Sequence, residues 1–232
     1  MISNQPLLSS FRARRVMVEM LLDRGYAVKH PKDGRTGQDL LLESIEAFQT
    51  SPDSKASMCF GWELRGDHQF RQSKLFPNTC EIISVQCVEQ IKRDTLKDLE
   101  RSLMIQSSQR QFDRLIYVIY GTETSAPTRP QRNIVAELER IRRAHETIVE
   151  YFLASEIQVN ISRHVLVPKH VLLLETQKKL ILEEYKCTEG QLPIIEQADP
   201  MARYLGMQPK DIVQIVRSSE TTGVYTTFRI CQ

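Results

Sequence analysis

The sequence predicts an α/β unit over residues 1–155, followed by a small mixed α+β unit over residues 156–232. Three observations carry this. RLIYVIY at 114–120 is a continuous apolar run of strand length, which suits a strand buried on both faces. Around it, segments with apolar residues at helical spacing alternate with strand-like segments, the pattern of helices layered on a small sheet. Beyond about residue 156 the texture changes to short strands, turns and brief helices, with no internal repeat or low-complexity tract.

The elements follow in order. Ser9 or Ser10 offers an N-cap for a first helix that carries Phe11, Val18, Leu21 and Leu22 close to one face. Gly25 stops it, with Tyr26 placed to fold back over the last turn. Thr36 and Asp39 make a capping-box-like pair ahead of Leu41, Ile45 and Phe48, so a second helix begins there. TSPDSK at 50–55 has loop composition. Met58, Phe60, Trp62 and Leu64 alternate with Cys59, Gly61, Glu63 and Arg65, a half-buried strand, and a second strand is expected at 81–88. A helix with Ile91, Leu96, Leu99 and Leu103 near one side leads into the 114–120 strand. GTETSAPTRP at 121–130 breaks the chain. Pro130 then starts a helix with Ile134, Leu138, Ile141 and Ile148 on its buried stripe.

In the second unit IQVNI at 157–161 reads as a strand, and a short helix carries Leu174, Lys178, Ile181 and Leu182. QLPIIEQADP is turn-rich. Asp199 is placed as an N-cap, Pro200 takes the first helical position, and Gly206 closes that helix. IVQIV and VYTTFRI are two strands joined as a hairpin through RSSETTG.

Bulk properties narrow the function classes. At 41% hydrophobic and 26% charged, the chain has ordinary globular composition. No apolar run approaches the roughly 18 residues of a membrane span, so no membrane partner is expected. The basic residues near the start follow the short apolar patch rather than preceding it, the wrong order for a secretory signal. Five cysteines without a CxxC pair suit a reduced compartment, with Cys59 and Cys87 as small buried hydrophobes. A net charge of +2 is not the footprint of a protein that binds nucleic acid through bulk charge. Residues 156–232 hold nine Lys/Arg and nine Asp/Glu, so the basic surplus lies upstream, in FRARR and in TRPQR…RIRR.

Candidate chemistry is sparse. His164 and His170 flank LVPK, but a metal site would need a third and fourth ligand. The expectation is that both imidazoles bond backbone at a domain joint, with no metal and no cofactor. Pro52-Asp53 followed by Glu63-Leu64-Arg65 has the outline of a nuclease core, in which two acids and a lysine hold a metal and poise a water. Arginine stands at the lysine position and stays charged, so it cannot take that proton. SSETTG at 218–223 lacks the pattern of a phosphate loop and reads as a hairpin connection. Arg129, Arg132, Arg140, Arg142 and Arg143 form the densest basic cluster, diluted by Glu137 and Glu139. It is either a solvated helix face or a sequence-independent phosphate contact.

The strings HVLVPKH, QLPIIEQADPMARYLG and SSETTGVYTTFRI resemble the C-terminal signature of the common fifth subunit of eukaryotic nuclear RNA polymerases. A small subunit of the archaeal polymerase is similar to that domain alone. FRARRVMVEMLLDRGY resembles the family's first helix, and TIVEYFLASEIQVNISRH the segment joining its two domains; residues 30–145 match by order of elements more than by residues. The resemblance implies a non-catalytic subunit of a nuclear DNA-directed RNA polymerase, located in the nucleus, or in the nucleolus if dedicated to ribosomal RNA transcription. It implies an N-terminal jaw domain of restriction-endonuclease-like fold without an active site, near downstream duplex DNA, and a C-terminal assembly domain that docks on the largest subunit. On the matched strings the expected partner-binding residues are His164, Pro168, Lys169, His170, Gln191, Pro193, Asp199, Pro200, Arg203, Tyr204, Arg217 and Glu220. Thr124, Ser125, Arg129 and Arg132 are the expected DNA-proximal residues. Against the family pattern, basic residues are missing at Ile194, Gln214 and Val224, and the usual basic-Gly turn is replaced by Gln208-Pro209-Lys210-Asp211. These departures fit an isoform dedicated to one polymerase class. The alternatives are a free nucleic-acid-binding or nuclease-like domain, and an adaptor that borrowed the docking domain.

Overall fold

The computed structural model describes residues 5–31, 34–50, 63–72, 80–105, 112–121, 126–219 and 223–232. The chain divides into two compact units, Met1–Val159 and Asn160–Gln232.

The first unit is built on a five-stranded sheet with helices on it. Helix α1 spans Gln5–Asp23, and β1 spans Tyr26–Lys29. Short helices α2 (Gly37–Leu42) and α3 (Ile45–Thr50) follow, then β2 (Glu63–Gln72) and β3 (Cys80–Val88). Helix α4 (Arg93–Ile105), β4 (Arg114–Ile119), α5 (Arg132–His145) and β5 (Ile148–Leu153) complete it. The strand order is β1-β2-β3-β4-β5. The first three strands are antiparallel and the last three parallel.

Every residue of β4 is buried: the apolar run 115–119 requires it, and Arg114 at its start is buried in ion pairs with Glu81 and Glu150. Leu115, Tyr117 and Ile119 pack with Leu96, Leu99 and Leu103 of α4 and with Ile134, Leu138 and Ile141 of α5. Ile116 and Val118 alternate to the opposite sheet face and are also buried.

Several local expectations hold. Thr36 and Asp39 form a reciprocal capping box at α2. Gly25 ends α1 at φ +91°, a conformation open to glycine and strained for other residues. Other expectations are corrected. Helix α1 already runs from Gln5, so Ser9 and Ser10 are interior, and Ser10 is buried. The second predicted helix is two helices, and Leu40 rather than Leu41 is its buried leucine. Glu146 adopts φ 54° and closes α5, so Ile148 belongs to β5 and not to the α5 stripe. Cys87 is half-buried. Met58, Cys59, Phe60 and Trp62 lie outside the described residues, while Leu64 is buried and Arg65 exposed, the alternation expected of that strand.

The second unit is a four-stranded sheet with helix α6 (Glu175–Glu184) on it and helix α7 (Pro200–Leu205) in the chain between strands. Its strands are β6 (Lys169–Leu172), β7 (Ile194–Ile195), β8 (Ile212–Ser219) and β9 (Gly223–Cys231), in the order β6-β8-β9-β7. Strands β8 and β9 form the predicted hairpin, paired from Ile212↔Ile230 to Ser219↔Gly223. Leu173, Ile212, Phe228 and Ile230 make a core against Ile181, Leu182 and Leu192. Asp199 caps α7, accepting from the amides of Met201 at 2.8 Å and Ala202 at 3.4 Å, and Gly206 ends it at φ 65°. IQVNI is not a strand: Ile157 ends a turn, Gln158 and Val159 form a bend, and a short 3₁₀ turn covers Ile161–Arg163, capped by the Asn160 side chain. The β-branched residues there find no neighbouring strand, and propensity alone does not make one.

Candidate partner-binding surface

Buried polarity in the first unit is structural. Tyr26 at the start of β1 donates its hydroxyl to Glu81 Oε1 at 2.5 Å, and Arg114 Nε donates to the same oxygen. Arg114 also reaches Glu150 Oε1 at 3.3 Å, and Arg24 binds the Glu150 carboxylate at 3.2 and 2.8 Å. Two arginines and two glutamates thus tie the end of α1 to β1, β3, β4 and β5. Burial works against the charged form of Glu150, but Arg24 and Arg114 outweigh it and hold the carboxyl below the usual glutamate range. Burial, with the Glu81 carboxylate, pushes the Tyr26 phenol well above its ordinary value. A second cluster joins Arg14 and Arg35 to Glu43, with Arg14 stacked 4.3 Å over the Phe48 ring. Nothing in the sequence periodicity signalled either cluster. Their members read as helix-face or strand-edge charges until the register brings them together.

The nuclease outline does not assemble among the described residues. Arg65 sits exposed on β2, and Pro52 and Asp53 lie outside the described residues. No group of three or more His, Cys, Asp or Glu side chains converges as metal ligands among the described residues.

The basic cluster is largely neutralised. Arg129 pairs with Glu156 at 2.8 Å, Arg140 with Glu137 and Glu100 at 2.6 Å each, and Arg142 with Glu139 at 3.5 Å. Arg132 and Arg143 are exposed and make no ion pair among the described residues. Arg129 lines a cleft of about 370 Å³ with Lys92, Arg93, Thr128 and Asn133. Thr124 and Ser125 lie outside the described residues.

The second unit has the opposite character, with its polar groups used locally and apolar side chains left outside. His164 Nδ1 accepts from the Leu166 amide at 3.2 Å, and His170 Nδ1 bonds the Pro168 carbonyl at 2.7 Å, so both imidazoles serve nearby backbone. Gln191 accepts from the Thr188 amide at 2.8 Å, and the Pro193 carbonyl accepts from Ile230 at 2.9 Å. Lys169 is exposed on β6, Pro200 is exposed at the start of α7, and Arg203 is half-buried within it. Arg217 lies across the hairpin from Tyr225, its guanidinium 5.2 Å from the ring centroid. Tyr204 is 4% exposed and belongs to the interior, which corrects its expected place among exposed contact residues. Glu220 lies outside the described residues. Val165 and Leu166 are 96% and 84% exposed, and Leu180, Tyr185, Ile194 and Val224 are at least half exposed. The sequence string HVLVPKH contains the first two, but their exposure follows from the loop that ends the 3₁₀ turn.

The second unit thus spends many of its polar groups on nearby backbone and leaves several large apolar side chains exposed. Residues 159–231 match the family described as RNA polymerase Rpb5, C-terminal domain. Relatives extend the match to the whole chain. One is the DNA-directed RNA polymerases I, II, and III subunit RPABC1 of Caenorhabditis elegans, 30% identical over 95% of this chain and 94% of the relative. Another is its counterpart in Dictyostelium discoideum, 30% identical over 94% of each chain. A third, from Caenorhabditis briggsae, is 31% identical over 95% of this chain and 94% of the relative. The chain belongs to the Rpb5 family of shared RNA polymerase subunits.

Proposed function

We propose that this chain is a non-catalytic structural subunit of a nuclear DNA-directed RNA polymerase, with other polymerase subunits as its partners and the nucleus as its location. The observation that carries the reading is the end-to-end match to shared polymerase subunits, spanning both units and not the C-terminal one alone. That span argues against an adaptor that borrowed only the docking domain. In this reading residues 1–155 are a jaw domain near downstream duplex and residues 156–232 an assembly domain that docks on the largest subunit. The order α1-β1-α2-α3-β2-β3-α4-β4, with antiparallel strands giving way to parallel ones, supports a restriction-endonuclease-like jaw. The exposed Arg132 and the cleft beside Arg129 support weak, sequence-independent contact with phosphates.

Purification of a tagged copy, with the co-purifying largest subunits identified by mass spectrometry, tests the reading. Recovery of a polymerase largest subunit in near-equal amount supports it, and recovery of none overturns it. The same experiment tests a narrower reading, that the chain serves one polymerase class. Ile194 and Val224, where the resemblance leads one to expect basic residues, are 50% and 69% exposed. Their loss removes charge from a surface and not from the core. Comparable recovery of all nuclear largest subunits would refute that narrower reading.

A further inference from the structure

The two edges of the C-terminal sheet are built differently. At one edge β7 has only two residues, and the outward carbonyl of Ile194 accepts from Arg229 Nη1 at 3.3 Å. That edge is blunted, as edges exposed to solvent usually are. At the other edge lies β6. The Leu173 amide donates to Ile212 at 3.0 Å, in register with Val171↔Gln214 and Lys169↔Val216. Residues 169, 171 and 173 therefore turn their backbone groups toward β8, and His170 and Leu172 turn theirs outward. The ends of this outer edge are closed. The Pro168 carbonyl is taken by the His170 imidazole, and the Leu174 amide donates to Gln177 Oε1 at 2.9 Å. Between them, the amides and carbonyls of His170 and Leu172 have no partner among the described residues.

We infer that the outer edge of β6 receives an extended segment of the largest polymerase subunit as an added strand. This rests on the reading of the chain as a polymerase subunit. Two donors and two acceptors repeating at about 6.6 Å fit the main chain of a strand and nothing more compact. The surroundings set the side chains that such a segment carries. Residues 160–174 contain Arg163, Lys169 and two histidines and no acid, and Arg217 is exposed on the neighbouring strand. Val171, on the strand itself, and Val165 and Leu166, in the loop before it, expose apolar surface. The segment alternates acidic and apolar side chains.

The test removes one outward amide. Leu172→Pro deletes that donor and leaves the β6–β8 ladder intact, because proline is tolerated on the open side of an edge strand. Leu172→Ala removes the side chain and keeps the donor. In affinity purification of full-length tagged copies, Leu172→Pro is expected to retain the largest subunit about tenfold less well than wild type, with Leu172→Ala within about threefold. Hydrogen exchange on the wild-type chain gives an independent readout that needs no variant. The Leu172 amide exchanges freely in the isolated chain and is protected in the assembled enzyme. Wild-type retention by a folded Leu172→Pro chain, or free exchange at Leu172 in the assembled enzyme, overturns the inference. Protection of Leu172 in a concentration-dependent dimer of the isolated chain assigns the edge to a second copy and also overturns it. Failure of the wild-type chain itself to retain a polymerase subunit sinks the functional reading instead, so the two failures are distinct.

Discussion

Glu150 is the residue on which the buried network of the first unit turns, and Glu150→Gln tests that. Its carboxylate binds Arg24, whose side chain is 3% exposed, and Arg114, whose side chain is 4% exposed, through contacts of 3.2, 2.8 and 3.3 Å. Glutamine preserves the shape and can accept from one guanidinium, but it removes the negative charge that the two buried arginines share. Breaking a buried pair by neutralising one partner costs about 3–5 kcal/mol, because an uncompensated charge stays behind. Solvent reaches part of Glu150, so the lower end, about 3 kcal/mol, is expected. Denaturant unfolding at neutral pH, followed by circular dichroism, measures this as a fall in midpoint at unchanged slope. The pH dependence gives a second readout. The folded carboxyl is held below its unfolded value. Its contribution is therefore fully present above the ordinary glutamate value of about 4.3 and is lost as pH falls through the depressed folded value. Glu150→Gln should flatten that acid limb. A variant within about 1 kcal/mol of wild type, or one with an unchanged acid limb, would refute the assignment of Glu150 as the network's central acceptor.

Other consequences are narrower. Ser10 Oγ is buried without a partner among the described residues, so Ser10→Ala should be neutral or stabilising by up to about 1 kcal/mol in denaturant unfolding; a loss of that size would show that the hydroxyl is hydrogen-bonded. Gly25→Ala places a Cβ 3.3 Å from His68 Cε1 at a positive φ and should cost about 1–3 kcal/mol in thermal unfolding. Asp199→Ala removes the acceptor at the start of α7 and should cost about 1 kcal/mol, with Asp199→Asn close to wild type. Lys178 is buried, with Nζ 2.9 Å from the Lys210 carbonyl and 2.7 Å from Glu189, so Lys178→Ala should destabilise the second unit by about 2 kcal/mol and Lys178→Arg by less.

What could be read from the sequence was local chemistry. Thr36 with Asp39, Gly25, and Asp199-Pro200 with Gly206 each specify a helix end through a hydrogen bond or a backbone conformation that few other residues supply. LIYVI marks a doubly buried strand because neither of its faces carries a charged side chain. Failures came where partners lie far along the chain. Helix α5 ends on Glu146 in the left-handed region, where a glycine would have been the visible signal, and so Ile148, the first residue of β5, falls on the predicted helix stripe. IQVNI has the composition of a strand and no strand beside it. Strands β1 and β6 have four residues each, too few for a period to register. Arg24, Glu81, Arg114 and Glu150 become neighbours only through sheet register, and no spacing foretells that. At the candidate site the strings identified the unit and many of its surface residues, while the open edge of β6 depends on which backbone groups face outward.

Gel filtration of native extract, with the chain detected by antibody, tests the central claim most directly. A polymerase subunit elutes with the largest subunit at several hundred kilodaltons. Elution of the whole population near its own 26.9 kDa, separate from any polymerase, would contradict the account.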